Sequence, residues 1–112
     1  MNSINNNVKI LRIRFCDPRV NKTYFDNVRR LCISMEGALA RIKCRPIDDP
    51  HATLMKFYDI RVNRFIPLSE ELQQLDRIGI KMPRDVADRM FHLDADLHSY
   101  IEQLEKRLDP TR

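Results

Sequence analysis

Three cysteines are the residues of this chain most able to carry redox chemistry. Dithiol catalysis normally uses a Cys-x-x-Cys pair at a helix N-terminus, which lowers the pKa of one thiol, and the sequence has no such pair. Cys32 falls on an apolar stripe, as is typical of a buried and inert thiol. Cys16 and Cys44 lie near the ends of two predicted strands. If those strands are neighbours, the two sulfurs come within disulfide range, and two reduced thiols are the alternative.

Metal-binding and acid–base patterns are also missing from the sequence. The histidines are His51, His92 and His98, and none has a Cys-x-x-Cys or His-x-x-x-His partner. The acidic pairs fall in a proline-bounded turn or near the starts of predicted helices, where the helix dipole favours negative charge. These pairs are Asp48 and Asp49, Glu70 and Glu71, and Asp94 and Asp96. We therefore expect no catalytic residue, no metal site and no cofactor, and the protein is not expected to be an enzyme.

Positive charge is the remaining chemical signal. Residues 1–46 carry ten Lys and Arg against three Asp and Glu, a net charge of +7, whereas residues 47–112 carry a net charge of −3. Arginine binds phosphate oxygens through two parallel hydrogen bonds, and such contacts position a protein on RNA without reading its sequence. The predicted RNA- or phosphate-contacting residues are Arg12, Arg14, Arg19, Lys22, Arg29, Arg30, Arg41, Lys43 and Arg45. Pairing of these cations with acidic patches on neighbouring proteins is the alternative.

The first part of the chain reads as strands around one helix. Apolar and basic residues alternate through 8–15 and again through 38–44, which is the period of a half-buried strand. An apolar stripe at helical spacing predicts a helix over 24–35 between them. Residues 53–58 and 62–68 predict a hairpin, because two apolar runs are separated by only three residues.

The remainder of the chain reads as helices. Ser69 suits a helix N-cap, Gly79 is placed to end that helix, and Pro83 can open another. The last predicted helix has an apolar stripe from Leu97 to Leu108. The order β-α-β-β-α, with additional C-terminal helices, predicts an α/β (α+β) fold of thioredoxin-like topology, built on a four-stranded mixed sheet. One domain is expected, with a disordered tail (1–7), a βαββ core (8–68) and a helical part (69–112) packed on it.

Composition sets limits on where the protein acts. No run approaches the ~20 apolar residues of a membrane span, so no membrane insertion is expected. The first residues lack the apolar core of a secretory signal. Three scattered cysteines are too few for a secreted disulfide framework. The chain is therefore expected to be cytosolic, or imported by a signal that is not visible, or numbered after removal of a leader.

Several segments together resemble one known family. They are residues 8–16, 25–32, 42–44, Pro50, 55–58 and 62–68, with a further likeness over 96–108. In order and residue type they are similar to the thioredoxin-like family of small mitochondrial ribosomal proteins, which shares its fold with a small accessory subunit of respiratory complex I. The sequence departs from that family between about residues 73 and 94, where the family proceeds quickly to a final helix.

The resemblance implies a non-catalytic structural constituent of the mitochondrial ribosome, in the mitochondrial matrix. Its partners would be rRNA and neighbouring ribosomal proteins, with no small-molecule substrate. The alternative that the resemblance implies is an accessory matrix-arm subunit of complex I (NADH:ubiquinone oxidoreductase), whose cysteine placement is similar to that of Cys16 and Cys44.

Overall fold

The computed structural model describes residues 3–110, and every regular element in that range is helical. The elements are α1 (Ser3–Cys16), α2 (Pro18–Lys43), α3 (Pro50–Ile60), a π-helical turn (Arg61–Phe65), α4 (Ile66–Arg77) and α5 (Arg84–Leu108). The predicted α/β (α+β), thioredoxin-like fold is therefore wrong, because residues 3–110 contain no strand and form no four-stranded sheet. The connections at 44–49 and 78–83 are short, which favours antiparallel packing of successive helices.

Helix α2 is long because its start is capped and its apolar stripe is continuous. Asp17 accepts a hydrogen bond from the backbone N–H of Arg19 at 2.9 Å, and Pro18 occupies the first helical position. The buried residues alternate at spacings of three and four, as in a coiled coil: Phe25, Val28, Cys32, Met35 and Leu39. The half-buried Ile42 continues this pattern, so segment 38–44, predicted as a strand, extends the helix instead.

Residues from α3 through the π-turn to α4 form one continuous helical segment, which we call the second rod because α2 is the first. Asp49 caps its start by accepting from the backbone N–H of Ala52 at 3.2 Å, and Pro50 opens the helix. The predicted hairpin of strands at 53–58 and 62–68 is therefore wrong, since both segments lie in this rod.

The π-turn keeps the apolar residues before and after it on the same buried face of the second rod. Ile60 and Phe65 are five residues apart, which would place them on different faces of a regular α-helix. The backbone N–H of Ile66 donates to the carbonyl of Arg61, five residues back, so the wide turn absorbs the extra residue. Both side chains are consequently buried. Pro67 lies in the first turn of α4, immediately after Ile66.

Helix α5 completes a bundle in which it runs parallel to α2 and antiparallel to the second rod. Its buried stripe is Val86, Met90, Leu93, Leu97, Ile101 and Leu104. Ion pairs fix its alignment with α2: Asp85 meets Arg29 at 2.7 Å, and Arg89 meets Glu36 at 2.5 Å. The ring of Tyr100 stacks on Phe57 of α3, with centroids 5.5 Å apart. The bundle is elongated, with extents of 53 × 29 × 19 Å.

Helix α1 replaces the predicted first strand, 8–15, and packs across one end of the bundle. Phe15 makes edge-to-face contacts with Tyr24 and Phe25, at centroid distances of 5.2 and 6.4 Å. The Nε of Arg12 donates to the carbonyl of Ile78 at 2.7 Å. Of the tail predicted over 1–7, residues 3–7 belong to α1 and residues 1 and 2 lie outside the described part of the chain; residue 68, the predicted end of the core, lies within α4. Across residues 3–110 no helix combines the length and apolarity needed to span a bilayer.

Candidate polyanion-binding groove

A basic groove lies between the last turns of α2 and the start of the second rod. It encloses about 530 Å³, and four cationic side chains line it: Arg41, Arg45, Lys56 and Arg64. Asp59 is the one carboxylate in the lining, and it already accepts from the side-chain amide of Asn63 at 2.6 Å. The groove therefore has an excess of three positive charges, which suits a polyanion.

The floor of the groove is aliphatic. It is formed by Ala38 and Ile42 from α2 and by Met55 and Ile60 from the second rod. No aromatic side chain lines it among the residues that the structure describes, so it offers no platform on which a base could stack. Its chemistry fits contact with a phosphate backbone rather than with base edges.

Two of the predicted phosphate-contacting residues are instead held in ion pairs within the bundle. Lys22 meets Asp26 at 2.7 Å, and Arg29 bridges Asp26 at 2.8 Å and Asp85 at 2.7 Å. The neighbouring cations lower the pKa of both carboxyl groups, chiefly through hydrogen bonds from Lys22 and from Arg29. Arg29 thereby links α2 to α5, whereas the pair of Lys22 lies within α2, and contact of either cation with phosphate stays a prediction.

Three further residues that were predicted to contact phosphate interact with other groups of the protein. Arg12 is bonded to the carbonyl of Ile78, and the guanidinium of Arg30 lies 3.5 Å from the side-chain oxygen of Asn27. The Nζ of Lys43 lies 4.5 Å above the centroid of the Tyr100 ring, in a cation–π arrangement. Lys43 points toward α5 and does not line the basic groove.

The remaining predicted cations divide between the two ends of the molecule. Arg14 and Arg19 are exposed at the corner between α1 and α2, whereas Arg41 and Arg45 are at the other end of α2. A helix of 26 residues is about 39 Å long, so the nine cations cannot form the single patch that adjacent strands would have made.

Sequence reasoning missed Lys56 and Arg64, because it placed them on separate strands of a hairpin. Their helical positions bring both to the groove beside Arg41 and Arg45. The Nη2 of Arg64 also donates to the hydroxyl of Ser34 at 2.6 Å, which ties the π-turn to α2. A helical reading of residues 50–77 would have grouped these cations on one side of the rod.

The three cysteines are free and well separated. Cys16 ends α1 and Cys44 follows α2, so the length of α2 places them about 40 Å apart and the considered disulfide between them does not form. Cys32 is buried with its sulfur 3.6 Å from that of Met90, and burial raises the pKa of its thiol. The arrangement provides no dithiol site among the described residues.

Two of the three histidines lie beside oxygen atoms of their own helix, α5. His92 lies 2.7 Å from the carbonyl of Asp88, and His98 lies 3.4 Å from Glu102 on the same helix. Within residues 3–110 no three His, Cys, Asp or Glu side chains come together in a way that could hold a metal ion.

Comparison with known proteins identifies no relative. No protein-family model, no curated protein and no solved structure matches this chain. The chemistry of the basic groove is therefore the starting point for a functional proposal.

Proposed function

We propose that this protein is a non-catalytic structural component of a ribonucleoprotein, namely the mitochondrial ribosome, and that its basic groove contacts the rRNA backbone. The observation that carries this proposal is the convergence of Arg41, Arg45, Lys56 and Arg64 around one groove with a single carboxylate. Neighbouring proteins would contact the outer faces of the bundle.

The chemistry of the groove supports contact with phosphate. Guanidinium groups make charge-assisted hydrogen bonds to phosphate oxygens, which are roughly twice as strong as neutral ones. Three of the four cations are arginines, and they come from α2, the connection that follows it and the π-turn of the second rod, so the packing of α2 against this rod sets their spacing. Such a groove would fix the position of an RNA backbone without selecting its sequence.

The choice of particle rests on the sequence resemblance to small mitochondrial ribosomal proteins. The thioredoxin-like fold that this resemblance implied is not the fold of this chain, so the particle has to be identified by experiment. Mitochondrial lysate from cells that express a tagged copy of this protein should be sedimented through a sucrose gradient at moderate salt. We expect the tagged protein to migrate with rRNA and to be released by ribonuclease.

A matched pair of variants makes this experiment specific to the groove. Arg41→Gln with Lys56→Gln removes two exposed cations from the groove, and Lys81→Gln with Arg84→Gln removes two exposed cations near the other end of the bundle. The groove variant should shift to the top of the gradient, whereas the control should stay with the particle. Equal incorporation of both variants would contradict the proposal.

An accessory matrix-arm subunit of complex I is the second candidate. It rests on the same sequence resemblance, and in such an assembly the exposed apolar residues of the bundle, among them Phe91 and Val62, would lie against neighbouring subunits. In that case the protein should migrate with NADH dehydrogenase activity and be insensitive to ribonuclease. That result would replace the ribosomal proposal.

A further inference from the structure

A second pocket lies at the end of the bundle where α2 ends and α3 begins. We call it the end pocket; it encloses about 420 Å³ between α2, the connection 44–49, α3 and the last turns of α5. Pockets of this size accommodate small organic ligands. It shares only Ile42 with the basic groove, so the two sites face different sides of the α2 terminus.

The wall of the end pocket is apolar, and its side chains are held in place by packing against one another. Phe57 and Tyr100 are stacked nearly parallel, with an angle of 17° between their planes, and Leu104 is buried beside them. Ile47 closes the pocket from the connection and is 39% exposed, so an apolar face remains open to a ligand. Burying an acyl chain against this wall would be favourable in proportion to the apolar area covered.

Two cations complete the lining of the end pocket. Lys43 is held above the Tyr100 ring, and Arg107 comes from the last turn of α5. Thr53 and Gln103 supply neutral polar groups, and no carboxylate belongs to the lining among the described residues. An apolar wall with two cations and no carboxylate in the pocket lining is complementary to a ligand that has an apolar body and one anionic head.

We propose that the end pocket binds a single-chain amphipathic anion, a medium-chain fatty carboxylate. The carboxylate would pair with Arg107 and Lys43, and the acyl chain would lie along Phe57, Leu104 and Ile47. The sequence gives no reason to expect a small-molecule substrate, and this ligand is bound without being transformed. The inference does not depend on RNA binding, because the basic groove and the end pocket use different cations.

The test is isothermal titration calorimetry of the full chain at neutral pH, below the ligands' micelle concentrations. The probes are octanoate, decanoate and the alcohols of the same chain lengths. Each buried methylene is worth about fourfold in affinity, so decanoate, which is two methylenes longer, should bind about fifteenfold more tightly than octanoate. The alcohols should bind at least about tenfold more weakly than the carboxylates, because they lack charge-assisted hydrogen bonds.

Variants then locate the site. Arg107→Gln should weaken decanoate binding about tenfold. Ile47→Glu should abolish binding without disturbing the core, because this position lies in the exposed connection. Lys81→Gln at the other end should leave binding unchanged. Circular dichroism checks that each variant is folded.

Three outcomes would overturn the proposal. The first is equal binding of decanol and decanoate, which would show that the cations take no part. The second is unchanged binding by folded Ile47→Glu, which would place the ligand elsewhere. The third is binding only to anionic lipid vesicles and not to monomeric decanoate, which would indicate a membrane surface instead.

Discussion

The backbone N–H of Ile80 donates to the carbonyl of Leu75 at 2.9 Å, across the end of α4. A second bond joins the N–H of Gly79 to the carbonyl of Asp76 at 3.0 Å, and Gly79 has a φ of 90°. Together these bonds form a Schellman motif, with the side chains of Ile80 and Leu75 both buried. The left-handed glycine is what ends the second rod and turns the chain toward α5.

The two glycines of the chain should respond oppositely to alanine. Gly37 lies inside α2, where an added Cβ would meet only the guanidinium of Arg41 at 3.5 Å. Gly37→Ala should therefore stabilise the protein by about 0.5–1 kcal/mol. Gly79→Ala should destabilise it by about 1–2 kcal/mol, because its φ is strained for any residue with a Cβ. Urea unfolding followed by circular dichroism measures both, and destabilisation by both substitutions would contradict the continuous α2.

Leu97 and Phe91 are both apolar residues of α5, but they differ in how far their side chains are buried. Leu97 is 1% exposed, whereas Phe91 is 72% exposed. Leu97→Ala should lower the free energy of unfolding by about 2–5 kcal/mol because it leaves a cavity. Phe91→Ala should change the free energy by no more than about 0.5 kcal/mol, as is usual for surface sites. Comparable losses from both substitutions in urea unfolding would show that the helix faces are wrongly assigned.

Because it contains the π-turn, the second rod should tolerate the deletion of one residue, whereas α5 should not. Removing the exposed Val62 leaves Ile60 and Phe65 four positions apart, which is the α-helical spacing. The deletion should be combined with Pro67→Ala, since a proline within a regular helix clashes with the carbonyl four residues back. This variant should keep its helicity and unfold cooperatively.

The matched control is deletion of Ala95 from α5. It would rotate Leu97, Ile101 and Leu104 away from the core by about 100° relative to the preceding turns. We expect loss of cooperative unfolding, measured by circular dichroism during heating. Equal damage from the two deletions would contradict the role given to the π-turn.

Tyr24 should determine part of the stability at alkaline pH. Its hydroxyl donates to the Oε1 of Glu71 at 2.6 Å. Burial, followed by this hydrogen bond and the charge of Glu71, raises the pKa of Tyr24 well above its ordinary value. Because the pKa is raised in the folded state, the contribution to stability is complete below the ordinary pKa of about 10 and is lost as pH rises toward the folded-state pKa.

Two measurements check this prediction. Tyr24→Phe should make the melting temperature less dependent on pH above about 10. Titration of tyrosine absorbance at 295 nm should show a late transition in the wild-type protein that is absent from the variant. A wild-type titration without a late transition would contradict the contact between Tyr24 and Glu71.

Two features of the fold could be predicted because the sequence signals for them lie within the same short segment of the chain. The helix over 24–35 follows from an apolar stripe at helical spacing. The end of α4 at Gly79 follows from a glycine placed just after the apolar residues of that helix. The strands at 8–15 and 38–44 were predicted wrongly, because a short apolar run with alternating cations is compatible with either period. In α2 the continuous spacing from Phe25 to Ile42 decides in favour of a helix.

The basic groove could be predicted only in part for the same reason. Arg41 and Arg45 were recognised as cations near each other in the sequence. Lys56 and Arg64 join them only when residues 50–77 are one rod, and the five-residue step from Ile60 to Phe65 hides that rod's apolar stripe. The ion pairs that occupy Lys22 and Arg29 depend on Asp85, which lies far along the chain and is brought close by the packing of α5.

The most direct test of the RNA-binding account is the salt dependence of affinity for a single-stranded RNA, measured by fluorescence anisotropy. If four cations each neutralise one phosphate, the slope of log K against log salt should be about −3 for the wild-type protein. Arg41→Gln with Lys56→Gln should reduce the slope to about −1.4, and the control Lys81→Gln with Arg84→Gln should leave it unchanged. Equal slopes for the groove variant and the wild-type protein would contradict the account.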